Sequence, residues 1–529
     1  MSVRKVFVSL LAISGLLFLG ACGGGSSNSS TPPPSGGFNA TNLSGTYVFS
    51  FSGADVLNGT FFAMAGTFVA NGSGGITSGS VDIVDPAYGV LRNQTLVSGS
   101  GYKITSDGRG SGILATSGAA GKIGIDFVLT SNSHGLITRF DSNGTGSGTL
   151  DLQSSSATLG SYAFGLSGVD SSDNPFGAVG EFTVGNGGVI TGLEDFNDNK
   201  NPLTGGVLSG SVVLGASGAA GTATLSATGS PYGTQFDVWA IDSTHLKLIE
   251  TDAAGITVGD AFTQQATISA GQLVYTMAGL DSSGSLLSAG GFMTYDGSSA
   301  ISAGLEDIND SGSVGQSLTV SGTLTTNVST PGRYQLALGS FYNGVNGGTG
   351  TYTFTAYPST SGILLLETDN LGISAGAAFP QSATTFAASQ GYGLNLTGSN
   401  SNGEVDDIAE FTANSGGTLS NGLIDENDEG SLASDQKLGS GGTYTFDSTG
   451  SGRGILSYPA TDTTFIGTLN LAFYVANSST AIFIDGDSAQ AGVGLFQLQG
   501  SSTSSAASAH TASHFAALHG GAQRAVKQK

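Results

Sequence analysis

The stretch SYAFGLSG at 161–168 places apolar side chains at Tyr162, Phe164 and Leu166 and ends on Gly168. Alternation at period two marks a half-buried strand. The same phrase opens three other segments: Tyr47, Phe49, Phe51 and Gly53; Leu273, Tyr275, Met277 and Gly279; Tyr392, Leu394, Leu396 and Gly398. Further along each copy lies a second shared segment, GSVDIVD at 79–85, GLEDFND at 192–198, GLEDIND at 304–310 and GLIDEND at 422–428. A third closes each copy at Asp141, Asp252, Asp369 and Asp487, spaced by 111, 117 and 118 residues.

Three landmarks in fixed order define four tandem units, 42–153, 158–266, 270–383 and 388–500. Their period exceeds that of solenoids and propeller blades and matches whole domains. The second unit divides into eight short strands near 161–167, 178–184, 188–195, 206–214, 220–227, 234–241, 245–251 and 255–264. Turn residues such as Gly185-Asn186-Gly187 and Asp242-Ser243-Thr244 separate them, and Asp107-Gly108 in the first unit is a hairpin dipeptide. No crossover helices are visible, so the strands read as antiparallel meanders. Closure removes the edges of a meander, and eight strands suit a small barrel. The expectation is an all-β chain of four beads on a string. Each bead is an eight-stranded up-and-down barrel or barrel-like sandwich, similar on strand count alone to lipocalin or avidin calyces.

Composition agrees. Gly supplies 87 of 529 residues, which penalises helices throughout and excludes a coiled coil or helical bundle. A net charge of −23 repels phosphate and excludes nucleic acid as a partner. With one Cys, no intrachain disulfide forms.

The N-terminus carries an address. Arg4 and Lys5 precede an apolar run of 14 residues from Val6 to Leu19, which is too short for a membrane-spanning helix and fits a secretory signal. The run ends in LGAC at 19–22. This resembles the lipobox of bacterial lipoproteins. The resemblance implies removal of residues 1–21, lipidation of Cys22, and stable attachment to the lipid bilayer through two or more acyl chains. Gly23, where Asp would retain a Gram-negative lipoprotein in the inner membrane, favours the outer membrane, facing the periplasm or the cell surface. Residues 22–41 read as a Gly/Ser/Pro tether and 501–529 as a disordered or short helical tail holding His510, His514 and His519.

Candidate chemistry centres on the acidic segments. Asp195, Asn197 and Asp198, Asp307, Asn309 and Asp310, and Asp425, Asn427 and Asp428 are candidate Ca²⁺ ligands, since the ion takes six to eight hard oxygens. Asp307-x-Asn309-x-Ser311-Gly312 resembles the opening of an EF-hand loop, but Leu318 stands where that loop needs its bidentate Glu. The competing reading is a set of hairpin turns. The pairs Glu250 and Asp252, Glu367 and Asp369, and Asp485 and Asp487 stand at i, i+2 on one strand face, a spacing compatible with glycoside hydrolysis or with solvated strand ends. His134 and His245 hold equivalent positions, but the fourth unit has Thr480 there, which argues against a repeated triad. No catalytic residue and no cofactor beyond structural Ca²⁺ is expected. The sequence points to a non-enzymatic, membrane-anchored lipoprotein binding a glycan or protein ligand through tandem β domains. The alternatives are a carrier of a small apolar ligand inside the barrels, and a carbohydrate-active hydrolase using one acidic pair.

Overall fold

The computed structural model describes residues 37–154, 160–327, 329–343, 348–459 and 468–500. The signal segment, Cys22, most of the tether and the histidine-bearing tail lie outside the described residues.

In the second unit the alternating segments form eight strands: Ser161–Asp170, Pro175–Val184, Val189–Asp198, Asn201–Val213, Gly221–Ala227, Gln235–Ala240, His245–Glu250 and Gly255–Thr263. They make a closed antiparallel barrel, the last strand pairing with the first. The third unit closes in the same way, from Gly271–Leu280 to Ile373–Pro380. The first and fourth units depart from eight strands. Their fourth strand is broken, into Gly89–Thr95 and Gly101–Ile104 in one and Ser431–Lys437 and Thr443–Phe446 in the other. The breaks hold Gly99 and Gly441 at φ of 103° and 113°, a conformation other residues resist. Each of these sheets is therefore nine-stranded, with the two half-strands at its ends. Single bridges, Gly75 to Gly101 and Thr418 to Thr443, cross the seams.

The opening phrase of each unit fills its barrel. Tyr47, Tyr162 and Tyr392 sit in register opposite Phe68, Phe182 and Phe411, with ring centroids 5.7, 5.5 and 5.8 Å apart. In the third unit Leu273 faces Met293. Aromatic pairs of this kind add about 0.5–1.5 kcal/mol beyond burial itself.

The units are not beads on a string. The first two strands of each pack on the last strands of the next. Ala163 and Val179 of the second unit meet Tyr357, Leu364 and Ile373 of the third. Ala278 of the third meets Ala472, Ile484 and Val493 of the fourth. Val48, Ala63 and Ala65 of the first meet Trp239, Ile249 and Val258 of the second. Ile408 of the fourth then packs with Val128 and Leu136 of the first. A head-to-tail contact repeated around an axis closes into a ring when the rotation allows it, and here the four units of one chain close that ring.

Candidate functional site

The GLEDxND segments lie in the third strand of each unit, Ile76–Asp85, Val189–Asp198, Ala300–Asp310 and Leu419–Asp428. They are strands, not turns, and period two divides their side chains between two faces. Glu194 and Glu306 point into their barrels and accept hydrogen bonds from the Tyr232 and Tyr275 hydroxyls, the latter at 2.8 Å. Burial pushes the Glu194 carboxyl up to about 8.

The neighbouring Asp and Asn face outward and clasp the next unit. Arg333 donates from Nε and Nη2 to the two oxygens of Asp195 at 2.7 and 2.8 Å. Arg453 does the same to Asp307, both at 2.7 Å. Arg109 of the first unit donates to Asp425 at 2.7 Å and to Asp435 at 2.6 Å, closing the ring. The Tyr357 and Tyr474 hydroxyls add donors to Asp195 and Asp307. Beside each Asp, the Asn side chain donates to backbone carbonyls of the next unit. Asn197 reaches Glu367 and Gly372 at 2.9 and 3.0 Å, Asn309 reaches Asp485 and Asp487 at 2.9 and 2.7 Å, and Asn427 reaches Arg139 and Gly144 at 3.0 and 2.8 Å.

A β-bulge aims each clasp. The register slips between Glu194 and Phe196, and at the matching place in the other units. The extra residue on the fourth strand takes a left-handed conformation: Asn93, Gly205, Ser317 and Asp435, at φ of 53°, 71°, 54° and 55°. Its N–H then donates to the Asp82, Asp195, Asp307 or Asp425 carboxylate, at 2.6 to 2.8 Å.

The joint between the first and second units reverses this polarity. By register Ala220 stands where the other units have arginine, Trp239 where two have tyrosine, and Val84 where the others have asparagine. The arginine now comes from the first unit. Arg92 donates through Nε to Asp237 at 2.9 Å, with a second bond from Nη2. Asp82 lies against Asp237, and burial together with that second carboxyl pushes it up to about 8. Beside them Lys247, fully buried, donates to Thr149 at 2.8 Å and Asp260 at 3.3 Å. His134 and His245 bond Asp151 and Asp260 of their own units, each at 2.7 Å, and Lys247 lies 3.9 Å from Asp151 and 3.3 Å from Asp260.

The nine candidate Ca²⁺ ligands are spread over three joints and already have protein partners or lie at hairpin ends. Asp195, Asp307 and Asp425 are met by arginine. Asn197, Asn309 and Asn427 use their amides as donors. Asp198, Asp310 and Asp428 sit at the hairpin end of the strand, Asp428 accepting from Asn402. Among the described residues no group of three or more His, Cys, Asp or Glu is arranged to hold a metal ion. The i, i+2 acidic pairs serve the backbone or nearby hydroxyls. Glu250 accepts from the Gly233 N–H and the Thr257 hydroxyl, Asp252 from the Thr234 and Gln235 N–H groups, and Asp369 from the Thr353 N–H. The sequence reading missed Arg109, Arg333 and Arg453. Their recurrence at matching positions in a chain with only 15 basic residues was the signal available.

A broad concavity opens at the closing joint. A cavity of about 720 Å³ runs along the outside of the first unit, over Gly101–Ile104, Arg109–Ala115 and Lys122–Leu129, and is bounded by Asp425, Ser434 and Asp435 of the fourth. Asp126, 7% exposed, lines it, and no described residue hydrogen-bonds its carboxylate. Burial, then the nearby Asp425, pushes that carboxyl up to about 8.

The described residues form two closed barrels and two curled nine-stranded sheets locked in a ring, with an acidic trough where the ring closes. No protein-family model and no curated protein matches the chain. Among solved structures, one similar chain is a mutant of the vaccine antigen transferrin binding protein B from Haemophilus parasuis Hp5. It is 11% identical over 69% of this chain and 83% of that one, with a TM-score of 0.19. A double mutant of the same antigen is 10% identical over 71% and 82%, with a TM-score of 0.16. At such TM-scores the likeness identifies no relative and assigns no function.

Proposed function

We propose that this chain is a non-enzymatic lipoprotein, anchored through Cys22 to the outer membrane, which presents the ring of barrels as a rigid platform for a protein or glycan ligand. The observation that carries the reading is where space lies. The barrel interiors are packed with their own aromatic and aliphatic side chains, which disfavours the apolar-ligand carrier. The acidic pairs are bound to backbone or hydroxyl donors, which disfavours the hydrolase. A broad concave surface lies outside the barrels, at the joint of the first and fourth units. A chain held at one end by lipid and carrying a recess on a fixed scaffold suits capture, with ligand contacts pre-organised rather than ordered on binding.

Metabolic labelling with palmitate tests the anchor. The wild-type chain takes up label and sediments with outer membranes, while Cys22→Ser takes up none and is released. Labelling of the Ser variant would overturn the anchor reading.

A further inference from the structure

The four joints bring equivalent strands together in matching register, so positions can be compared from one joint to another. In the first joint the buried Asp237 of the second unit is answered by Arg92, which reaches it from the broken fourth strand of the first unit. Register gives the same two positions at the closing joint. Asp126 stands in the first unit where Asp237 stands in the second, two residues before Val128 and Trp239 respectively. Ser434 stands where Arg92 does, one residue before the bulge residue whose N–H meets the clasp carboxylate. The acid is kept and the arginine is replaced by a short hydroxyl side chain. The cavity occupies that place, lined by both Asp126 and Ser434.

Arg109 lies near enough to lower the Asp126 carboxyl, but among the described residues no cation forms an ion pair with it. Arg109 is held by Asp107, Asp425 and Asp435, and Lys103, which also lines the cavity, makes no ion pair with Asp126. The other two joints have no such surplus, because Thr355 and Ala472 occupy the equivalent of Asp126. Ile113, 38% exposed, offers an apolar wall for an aliphatic stem.

We infer that the trough at the closing joint is a receptor for a guanidinium group: an arginine side chain of a polypeptide ligand takes the place that Arg92 fills in the first joint, pairing with Asp126. The inference rests on the binding-platform reading and names the ligand class of its recess. Fixed planar donors matched to a carboxylate explain why arginine rather than lysine suits the place. The groups facing Asp126 are Arg109, Lys103, Asp425 and Asp435, with Glu410 packed behind Arg109. Because burial raises the Asp126 carboxyl, capture of a cation displaces a proton, and affinity rises with pH towards 8.

The test uses the whole chain in non-ionic detergent. Calorimetric titration with glycyl-arginyl-glycine amide is expected to show binding at least tenfold tighter than the citrulline or lysine analogue or spermidine. That affinity should fall at least tenfold in Asp126→Asn. Ser434→Arg supplies the missing guanidinium from within, so it should abolish peptide binding and raise the melting midpoint. Equal binding of the citrulline peptide or spermidine would overturn the inference. So would a Ser434→Arg variant with unchanged peptide affinity, or the absence of any peptide binding. The Ser434→Arg midpoint does not depend on lipidation, so failure of the anchor and failure of the receptor are separable.

Discussion

Replacing Arg453 by leucine removes one clasp and leaves Asp307 buried without its counter-ion. Asp307 is 1% exposed in its side chain and Arg453 is 8% exposed. Breaking a buried pair from one side costs about 3–5 kcal/mol, because the remaining charge keeps its desolvation penalty. The observable consequence depends on whether the ring melts as one body. Unfolding entropy is about 2.1 cal/mol/K per residue, so roughly 440 ring residues melting together give about 0.9 kcal/mol/K. A loss of about 4 kcal/mol then lowers the midpoint by about 4 °C. A barrel of about 110 residues melting alone would instead lose about 17 °C, in one of several transitions. Scanning calorimetry of wild type and Arg453→Leu reads both the size of the shift and the number of transitions. The closed ring predicts a single transition and the smaller shift. Adding Asp307→Leu and Tyr474→Phe should recover most of the loss, because a buried ion pair exchanged for apolar groups is often neutral. An unchanged midpoint in Arg453→Leu would refute the clasp, and separate transitions would refute its cooperative role.

Other outcomes follow from the same structure. Glu194, Glu250, Glu410 and Asp485 are each pushed up to about 8 by burial. The folded chain thus holds protons that the unfolded chain releases above its ordinary carboxylate range. The stability these groups contribute is full below their unfolded values of about pH 4 and is lost as pH rises towards 8, so between pH 5.5 and pH 8.5, where the clasp carboxylates stay ionised, the midpoint should fall. A flat or rising profile would contradict this, and Glu250→Gln should reduce the slope. Ser317→Val forces a β-branched residue into the left-handed bulge beneath Asp307 and should cost about 1–2 kcal/mol, while Ser317→Gly should cost less. Denaturant midpoints check both variants. Melts in millimolar Ca²⁺ and in EDTA should coincide, because arginine and amide groups already meet the acidic strands. A Ca²⁺-dependent rise would instead support the metal reading.

Much of the fold was legible because its signals are local. The opening phrase at 47–53, 162–168 and 392–398 carries the strand period and also names the rings that pack inside. The joints were not legible, because their partners stand far apart in the chain: 138 residues for Asp195 and Arg333, and 316 for Arg109 and Asp425. Asp and Asn clusters are common in turns, and that prior hid the strand. The face assignment was nevertheless recoverable from period two, which sends Glu194 inward and Asp195 outward. The broken fourth strands were also within reach, since Gly99 and Gly441 interrupt runs that stay continuous in the second unit at Asn201–Val213.

The reversed polarity of the first joint has a consequence for assembly. Four identical joints would let the fourth unit dock on the second as readily as on the first, giving a three-barrel ring with one unit outside, or open chains joining several molecules. The second unit forbids this. Its receiving face has Ala220 and Trp239 where the clasp needs arginine and tyrosine, and it carries Asp237. Docking the fourth unit there would bring Asp425 and Asp435 against Asp237 with no arginine between them. Conversely, the first unit has Val84 in place of the clasp asparagine, so on the receiving face of the third it would leave the Glu367 and Gly372 carbonyls without the donor that Asn197 supplies. Mispairing is penalised by like charge and by buried groups left unpaired, which discriminates partners more sharply than added attraction does. Specificity is thus concentrated at one joint, while the other three share a plan. The same asymmetry leaves the surplus carboxylate of Asp126 at the closing joint: the acid that orders the ring in the second unit is present in the first, without the arginine that satisfies it.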